Sequence, residues 1–136
     1  MNYFSSNFKL GILGGGQLGK MLLAETRKFY IQTYVLDPSD EAPCKIACNH
    51  FFQGSLMDFE TVYNFGKQVD VLTFEIELVN LEALEILEAE GLKVYLSPKK
   101  CKLIQNNEIT KDFFSHNNMP TSPYPKFSSL EYMQYV

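Results

Sequence analysis

The stretch ILGGGQLGKML, residues 12–22, decides how this chain of 136 residues should fold. The apolar run before the glycines, residues 8–13, is typical of a buried parallel strand. A helical pattern follows at residues 17–29, with Leu18, Met21, Leu22 and Phe29 near one apolar face. Between them lies Gly14-x-Gly16-x-x-Gly19, a spacing typical of a tight turn from strand to helix. Glycines let a ligand approach the backbone, and the first N–H groups of a helix favour an anion. The pattern predicts a phosphate-binding turn. A turn that only packs the helix closely against the strand is the alternative.

The rest of the first hundred residues repeats this alternation of strand and helix. Further strands are expected at residues 31–36, 50–52, 69–74 and 93–96, with helices at 58–68 and 81–90. Asp58 and Asn80 are expected to cap these two helices. The polar connection at residues 39–49 is expected to contain a short helical piece near residues 45–48. Alternating strands and helices predict an α/β, Rossmann-like domain with a mainly parallel sheet flanked by helices.

Residue 98 marks a change in pattern. Two helical patterns, residues 99–105 and 108–117, precede residues 119–125, where three prolines fall within six residues. Such a proline-rich stretch is typical of a connector that leaves a domain. We therefore predict a Rossmann-like domain at residues 1–98, a helical connector at 99–125, and the beginning of a further domain at 126–136.

Composition and charge limit the classes of function. Twelve lysines and arginines against 16 aspartates and glutamates give a net charge of −4, which argues against nucleic-acid binding. No apolar stretch approaches the ~18 residues that span a bilayer, and the N-terminus lacks a signal-peptide pattern. We expect a cytoplasmic protein without membrane contact. The three cysteines do not suggest disulfides, and Cys44-x3-Cys48 lacks further ligands at zinc-like spacing, so no metal site is expected.

The nature of the anion depends on two acidic positions. Asp37 follows Gly19 by 18 residues, which fits a carboxylate that holds the ribose of a dinucleotide and equally fits a turn that ends a strand. In a doubly wound sheet the strand at residues 69–74 should end beside the glycines, so Glu75 should face the same cleft. Alternation suggests that Glu77 points the same way. A carboxylate there favours a ligand with one phosphate and an amine, hydroxyl or heterocycle. The alternative is that both glutamates only end a strand and pair with lysines.

Four motifs together resemble one family. The chain closely resembles the N-terminal domain of N5-carboxyaminoimidazole ribonucleotide synthetases, the PurK-type ATPase subunit of phosphoribosylaminoimidazole carboxylase. The resemblance rests on the motifs GGGQLGKML, LDP with APC, HFFQGS, and TFEIE. The resemblance covers residues 9–124. It implies the pre-ATP-grasp fold, similar to the N-terminal domain of biotin carboxylase, and the start of an ATP-grasp domain at 126–136. It also implies purine biosynthesis: a carbon–nitrogen ligase that joins bicarbonate to 5-aminoimidazole ribonucleotide with ATP.

The resemblance also implies roles for particular residues. The ribose-phosphate end would be held by the glycine loop and the two residues after it: Gly14, Gly15, Gly16, Gln17 and Leu18. Glu75 would contact the ribose or the aminoimidazole, with Glu77 a weaker candidate. Asn107 and Lys111 would lie near ATP, although Asn107 stands where the family usually has an arginine.

The resemblance places the catalytic machinery outside this sequence. ATP and magnesium would be bound mainly by domains absent from the 136 residues, so no catalytic residue is expected here and the chain alone should be inactive. The parent enzyme is expected to be a homodimer. Three alternatives stay open: the formate-dependent glycinamide ribonucleotide transformylase, whose loop typically has glutamate where this chain has Gln17, a nicotinamide-binding module, and a non-catalytic ribonucleotide-binding module.

Overall fold

A five-stranded parallel sheet organises the protein, whose computed structural model describes residues 5–122. The strands lie in the order β3-β2-β1-β4-β5. In chain order the elements are β1 (Lys9–Leu13), α1 (Gln17–Thr26), β2 (Gln32–Asp37), β3 (His50–Gln53), α2 (Phe59–Gly66), β4 (Val71–Phe74), α3 (Leu81–Ala89), β5 (Lys93–Tyr95), α4 (Pro98–Gln105) and α5 (Asn107–His116). The predicted α/β fold with a parallel sheet flanked by helices is confirmed.

The order of the strands places three strand ends side by side. β1 is central, with β2 on one side and β4 on the other, and Leu13 is in register with Leu36 and with Phe74. The chain adds β2 and β3 on one side of β1 and then β4 and β5 on the other side. The strand order therefore reverses beside β1, and α/β sheets bind ligands at the point of such a reversal. Gly14 and Glu75, which follow β1 and β4, therefore meet Asp37, the last residue of β2, at one edge of the sheet.

The core has two parts. The larger cluster includes Leu13, Leu36 and Leu72 of the sheet together with apolar side chains of α2 and α3. The smaller cluster joins Ile12 and Val35 to Leu23 of α1 and to Cys44. The buried segments of β1, β2 and β4 are mainly apolar, which is why the sequence pattern identified these strands.

Capping side chains begin α2 and α3 as predicted. The Asp58 carboxylate accepts hydrogen bonds from the N–H and the hydroxyl of Thr61, at 2.8 and 2.6 Å. These bonds, with that of the hydroxyl foremost, hold the pKa of Asp58 below its usual value. The Asn80 side chain accepts from the Ala83 N–H at 2.9 Å and donates to the Met57 carbonyl at 3.0 Å. Asn80 thus both caps α3 and ties it to the preceding loop.

Replacing Asn80 by alanine should lower the free energy of unfolding by about 1–2 kcal/mol, because the cap of α3 is lost. Asn80→Asp is the matched control, since aspartate keeps the acceptor and loses only the donor to Met57. Urea denaturation at pH 7 followed by circular dichroism measures both variants. We expect Asn80→Asp to retain most of the stability. Equal losses in the two variants would show that the cap is not the stabilising contact.

The buried face of α1 differs from the prediction. The expected face comprised Leu18, Met21, Leu22 and Phe29, yet these side chains are 61%, 58%, 40% and 48% exposed. The buried residues are Gly19, Leu23 and Thr26, which also lie along one side of the helix. Glycine and threonine are not counted as apolar residues, so the apolar pattern of the sequence indicated the wrong side of α1 as the buried one.

The connection between β2 and β3 contains turns rather than the short helix expected near residues 45–48. The N–H groups of Lys45 and Ala47 bond to carbonyls three residues earlier, and Cys48 bonds to Cys44. Asn49 then pairs with Thr33 through both backbone and side chain. Residues 44–48 therefore form a single helical turn. The turn ends there because the next residue, Asn49, is bonded to Thr33 of β2.

The described residues divide into two compact units between Cys101 and Lys102. In the second unit the Asn106 side chain caps α5 by accepting from the N–H groups of Glu108 and Ile109. The segments 1–98 and 99–125 stay predictions, and the expected domain start at 126–136 lies outside the described residues. Within residues 5–122, every helix is too short or too polar to cross a membrane.

Candidate functional site

The glycine loop between β1 and α1 needs glycine at its first position. Gly14 has a φ of +97°, a conformation that side-chain-bearing residues rarely adopt. Its N–H donates to the Leu36 carbonyl at 2.9 Å, while the Glu75 N–H donates to the Leu13 carbonyl at 2.8 Å. The ends of β2 and β4 therefore hold the beginning of the loop from both sides.

The N-terminus of α1 is open. Gly16 is the capping residue, with φ −72° and ψ −160°, and no side chain of the described protein caps the helix. The first N–H groups of a helix have no acceptor within the helix. The N–H groups of Gly16, Gln17 and Leu18 can therefore act as donors to an anion, and the helix dipole favours negative charge there.

Two of the five residues predicted to hold the phosphate have protein partners for their backbone N–H groups. The Gly14 N–H is bonded to Leu36, and the Gly15 N–H donates to Asp37 Oδ2 at 2.6 Å. Both glycines are also buried. Their contribution is the shape of the loop, because the protein already uses their N–H groups.

The Asp37 carboxylate is hydrogen-bonded to the backbone of the glycine loop and of the turn after β2. Its second carboxylate oxygen, Oδ1, accepts from the Ser39 N–H at 2.8 Å, so both oxygens have backbone partners. A dinucleotide site needs this carboxylate for the ribose hydroxyls. The two bonds therefore favour the structural interpretation of Asp37 over the dinucleotide interpretation.

Glu75 faces the glycine loop, as its place in the topology predicted. A Cβ atom built on Gly14 would lie 2.8 Å from Glu75 Oε2, and one built on Gly16 would lie 2.9 Å from Oε1. The half-buried Glu75 also lines a cleft of about 270 Å³ with apolar side chains of α1 and β4: Leu18, Leu22 and Phe74. The cleft thus combines one carboxylate, an apolar wall and the adjacent open helix end.

The direction of the Glu77 side chain cannot be inferred from strand alternation. β4 ends at Phe74 and the chain bends through residues 75–77, so the period of two no longer applies. The Glu77 carbonyl accepts from the Val79 N–H at 2.9 Å and from the Cys101 thiol at 3.5 Å. Burial, and secondarily the charge of Glu77, raises the pKa of Cys101. The Glu77 backbone thus contacts Cys101 of α4. The predicted binding role of Glu77 stays a prediction.

Cys44 supports the loop, a role that no sequence pattern indicated. Its N–H donates to the Gly15 carbonyl at 3.0 Å, and its thiol lies 3.6 Å from the Gly16 carbonyl. Burial, with smaller effects from Cys48, Glu75 and Asp37, raises the pKa of Cys44 to about 11. The thiol is therefore neutral at pH 7 and can donate its proton.

The two residues predicted to lie near ATP are in the second unit. Asn107 is the first residue of α5, and Lys111 one turn later donates through Nζ to the Ser122 hydroxyl at 2.6 Å. Their predicted role stays a prediction. Within the part of the chain that the structure describes, no three acidic, histidine or cysteine side chains are grouped to hold a metal ion.

Replacing Gly19 by alanine should destabilise the loop and the domain together. The new Cβ would lie 2.9 Å from the Gly14 carbonyl oxygen and 3.1 Å from the Cys44 sulfur. Backbone must shift to relieve this contact, and overpacking of this kind costs about 1–3 kcal/mol. Since alanine gains about 1 kcal/mol in helix propensity, the net loss in the free energy of unfolding should be about 0–2 kcal/mol.

Thermal and urea denaturation measure the effect of Gly19→Ala, with Met21→Ala as the control because Met21 is an exposed residue of the same helix. We expect the control to stay within about 0.5 kcal/mol of the unchanged protein. An alanine at position 19 that stabilised the protein would mean that the close contact between α1 and the glycine loop is absent in solution.

These features define an α/β domain of the Rossmann type, with a glycine loop and an open helix end suited to an anionic ligand. Comparison with known proteins specifies the family. The chain belongs to the ribonucleotide synthetase preATP-grasp domain family, whose model matches residues 8–105.

Curated relatives and a solved structure agree with this assignment. Phosphoribosylaminoimidazole carboxylase from Ogataea methanolica is 36% identical over 113 residues, which are 81% of this chain and 21% of that protein. N5-carboxyaminoimidazole ribonucleotide synthase from Staphylococcus aureus strain COL is 36% identical over 126 residues, 91% of this chain and 33% of that protein. A solved structure is that of N5-carboxyaminoimidazole synthase from Aspergillus clavatus in complex with ADP and 5-aminoimidazole ribonucleotide. Its sequence is 36% identical to this chain and the TM-score is 0.76. The match covers 87% of this chain and 31% of the Aspergillus chain. The chain thus spans between a fifth and a third of the length of these curated relatives.

Proposed function

We propose that this chain is the ribonucleotide-binding part of an ATP-grasp ligase that carboxylates 5-aminoimidazole ribonucleotide with bicarbonate in purine biosynthesis. The observation that carries the proposal is the position of Glu75, whose carboxylate lies against Gly14 and Gly16 in the cleft beside the open end of α1. Relatives named for this reaction match 81% and 91% of the chain. These names favour aminoimidazole ribonucleotide over the glycinamide ribonucleotide of the alternative family.

The phosphate of the ribonucleotide would be bound by the N–H groups of Gly16, Gln17 and Leu18. These donors carry the positive end of the helix dipole, which is suited to a single phosphate. Gly14 and Gly15 would contribute by bringing the backbone close to the ligand without intervening side chains.

Glu75 would accept hydrogen bonds from the ribose hydroxyls or the amine of the heterocycle, and Glu77 is the second candidate for this role. An ionised carboxylate accepts hydrogen bonds and donates none, so it selects ligand groups that are donors. It also repels a second phosphate close to the loop. A ribonucleotide monophosphate satisfies both conditions, whereas the pyrophosphate of a dinucleotide would meet the carboxylate.

ATP and magnesium would be held mainly by the parts of the longer relatives that this chain does not match. Lys111 could contribute a positive charge near ATP, whereas Asn107 could offer only neutral hydrogen bonds. We further propose the segmentation at residues 98 and 125, a homodimeric and cytoplasmic parent enzyme, and partners limited to small molecules: the ribonucleotide, bicarbonate and ATP. The chain by itself would bind without catalysing.

Titration calorimetry of the purified chain with three ligands tests the proposal. We expect 5-aminoimidazole ribonucleotide to bind more tightly than glycinamide ribonucleotide, and NADH to give no signal. Preferential binding of glycinamide ribonucleotide would support the transformylase, and tight binding of NADH alone would support a nicotinamide module. Either result would refute the proposed substrate.

A further inference from the structure

Asp37 has an arrangement of contacts that the proposed function does not use. It is the last residue of β2, and its carboxylate bridges the N–H groups of Gly15 and Ser39 at 2.6 and 2.8 Å. Its backbone carbonyl accepts from the Gly54 N–H at 3.0 Å. The carboxylate is therefore fixed by β2 at one end and by two backbone donors at the other.

The same segment also binds the other side of Gly15. The Gly15 carbonyl accepts from the Cys44 N–H at 3.0 Å. A Cβ built on Gly15 would lie 3.1 Å from the Cβ atoms of Asp37 and Ala42. The segment from Asp37 to Cys44 therefore bonds to both the N–H and the carbonyl of Gly15, and a side chain at this position would force its neighbours to shift.

Gly15 is followed directly by the residues that donate to the proposed phosphate. When the Gly15 carbonyl is held, the direction of the Gly16 N–H is fixed as well, because both belong to the same planar peptide group. The N–H groups of Gln17 and Leu18 follow in the first turn of α1. A negative charge near an anion site would weaken binding unless it were offset. The two N–H groups that Asp37 accepts provide such an offset.

We propose that Asp37 is a positioning residue, which sets the glycine loop so that the N–H groups of Gly16, Gln17 and Leu18 converge on the phosphate. This inference rests on the proposed function for the identity of the ligand. Asp37 acts through the Gly15 peptide and does not touch the ligand itself. Its effect should therefore be visible in the loop with and without ligand.

Two substitutions and one control separate positioning from charge. Asp37→Ala removes both acceptors. Asp37→Asn keeps one oxygen acceptor and can hold only one of the two N–H groups. Glu41→Gln removes a negative charge from an exposed residue of the same segment and serves as the control.

Hydrogen exchange of individual amides, measured by NMR without ligand, is the first readout. We expect the Gly15 amide to exchange at least about tenfold faster in Asp37→Ala, because a hydrogen bond to a charged group is lost. Asp37→Asn should show a smaller increase, and Glu41→Gln should behave like the unchanged protein. Amides in the centre of β2 should keep their protection. Unchanged exchange at Gly15 in Asp37→Ala would overturn the proposal.

Affinity for ribose 5-phosphate, measured by calorimetry, is the second readout. Asp37→Ala should bind about tenfold more weakly than the unchanged protein, with partial rescue in Asp37→Asn. A loss that merely matched the unfolded fraction, measured by circular dichroism, would indicate a structural role only and overturn the proposal. If the unchanged protein binds no ribose phosphate while exchange at Gly15 responds as expected, the loop-positioning role stands and the proposed function fails.

Discussion

A Glu75→Ala variant is expected to bind 5-aminoimidazole ribonucleotide about 10- to 100-fold more weakly than the unchanged protein. Hydrogen bonds to a charged group contribute about 1.5–3 kcal/mol, and each 1.4 kcal/mol is a factor of ten in affinity. Glu75 is the carboxylate beside Gly14 and Gly16, where the ribose and heterocycle would lie next to the phosphate. Calorimetric titration measures the change, and Glu82→Ala, an exposed glutamate in α3, is the control.

Inorganic phosphate should respond to Glu75→Ala in the opposite direction. Phosphate has no amine or ribose hydroxyl for the carboxylate to bind, so removal of the negative charge only reduces repulsion. We therefore expect phosphate to bind the variant at least as tightly as it binds the unchanged protein. Parallel losses for both ligands would indicate that the substitution distorts the glycine loop, and equal affinity for the ribonucleotide would remove Glu75 from the site.

A Leu84→Ala variant is expected to lose about 2–5 kcal/mol of stability, the range measured for large-to-small substitutions in protein cores. Leu84 is fully buried in α3 and belongs to the larger core cluster, between the sheet and the two helices α2 and α3. Removing its terminal carbons leaves a cavity that the surrounding strands cannot fill. A small domain is stabilised by only about 5–15 kcal/mol in total, so the variant should be partly unfolded under mild conditions.

Urea denaturation measures this loss, and Ile86→Ala is the matched control because Ile86 lies two residues away on the exposed side of α3. The control should lose less than about 1 kcal/mol. Similar losses for Leu84 and Ile86 would mean that α3 is rotated relative to the sheet, so that a different face is buried.

The sequence predicted the fold because most elements carry a regular pattern. The strands are short and apolar, and Asp58 and Asn80 are residues whose side chains suit helix N-caps. α1 was the exception. Its buried face includes Gly19 and Thr26, which are small rather than apolar, because the helix packs closely beneath the glycine loop. Close packing of backbone is not visible in a hydrophobic pattern.

The site was predicted in part. Topology alone placed Glu75 beside the glycines, since the carboxyl ends of adjacent parallel strands meet. The contacts of Asp37 and Cys44 with the loop could not be predicted, because they depend on the turns at residues 38–49. The same holds for Glu77, whose direction was inferred from a strand that ends at Phe74.

Binding of one ribonucleotide phosphate at the open end of α1 is the proposal on which the other roles in the cleft depend. It is best tested by NMR titration of the isotopically labelled chain with 5-aminoimidazole ribonucleotide, followed through the backbone amide signals. We expect saturable shifts that are largest at Gly16, Gln17 and Leu18, and no change of these signals with NADH. Shifts at these amides with NADH and none with the ribonucleotide would refute the proposal.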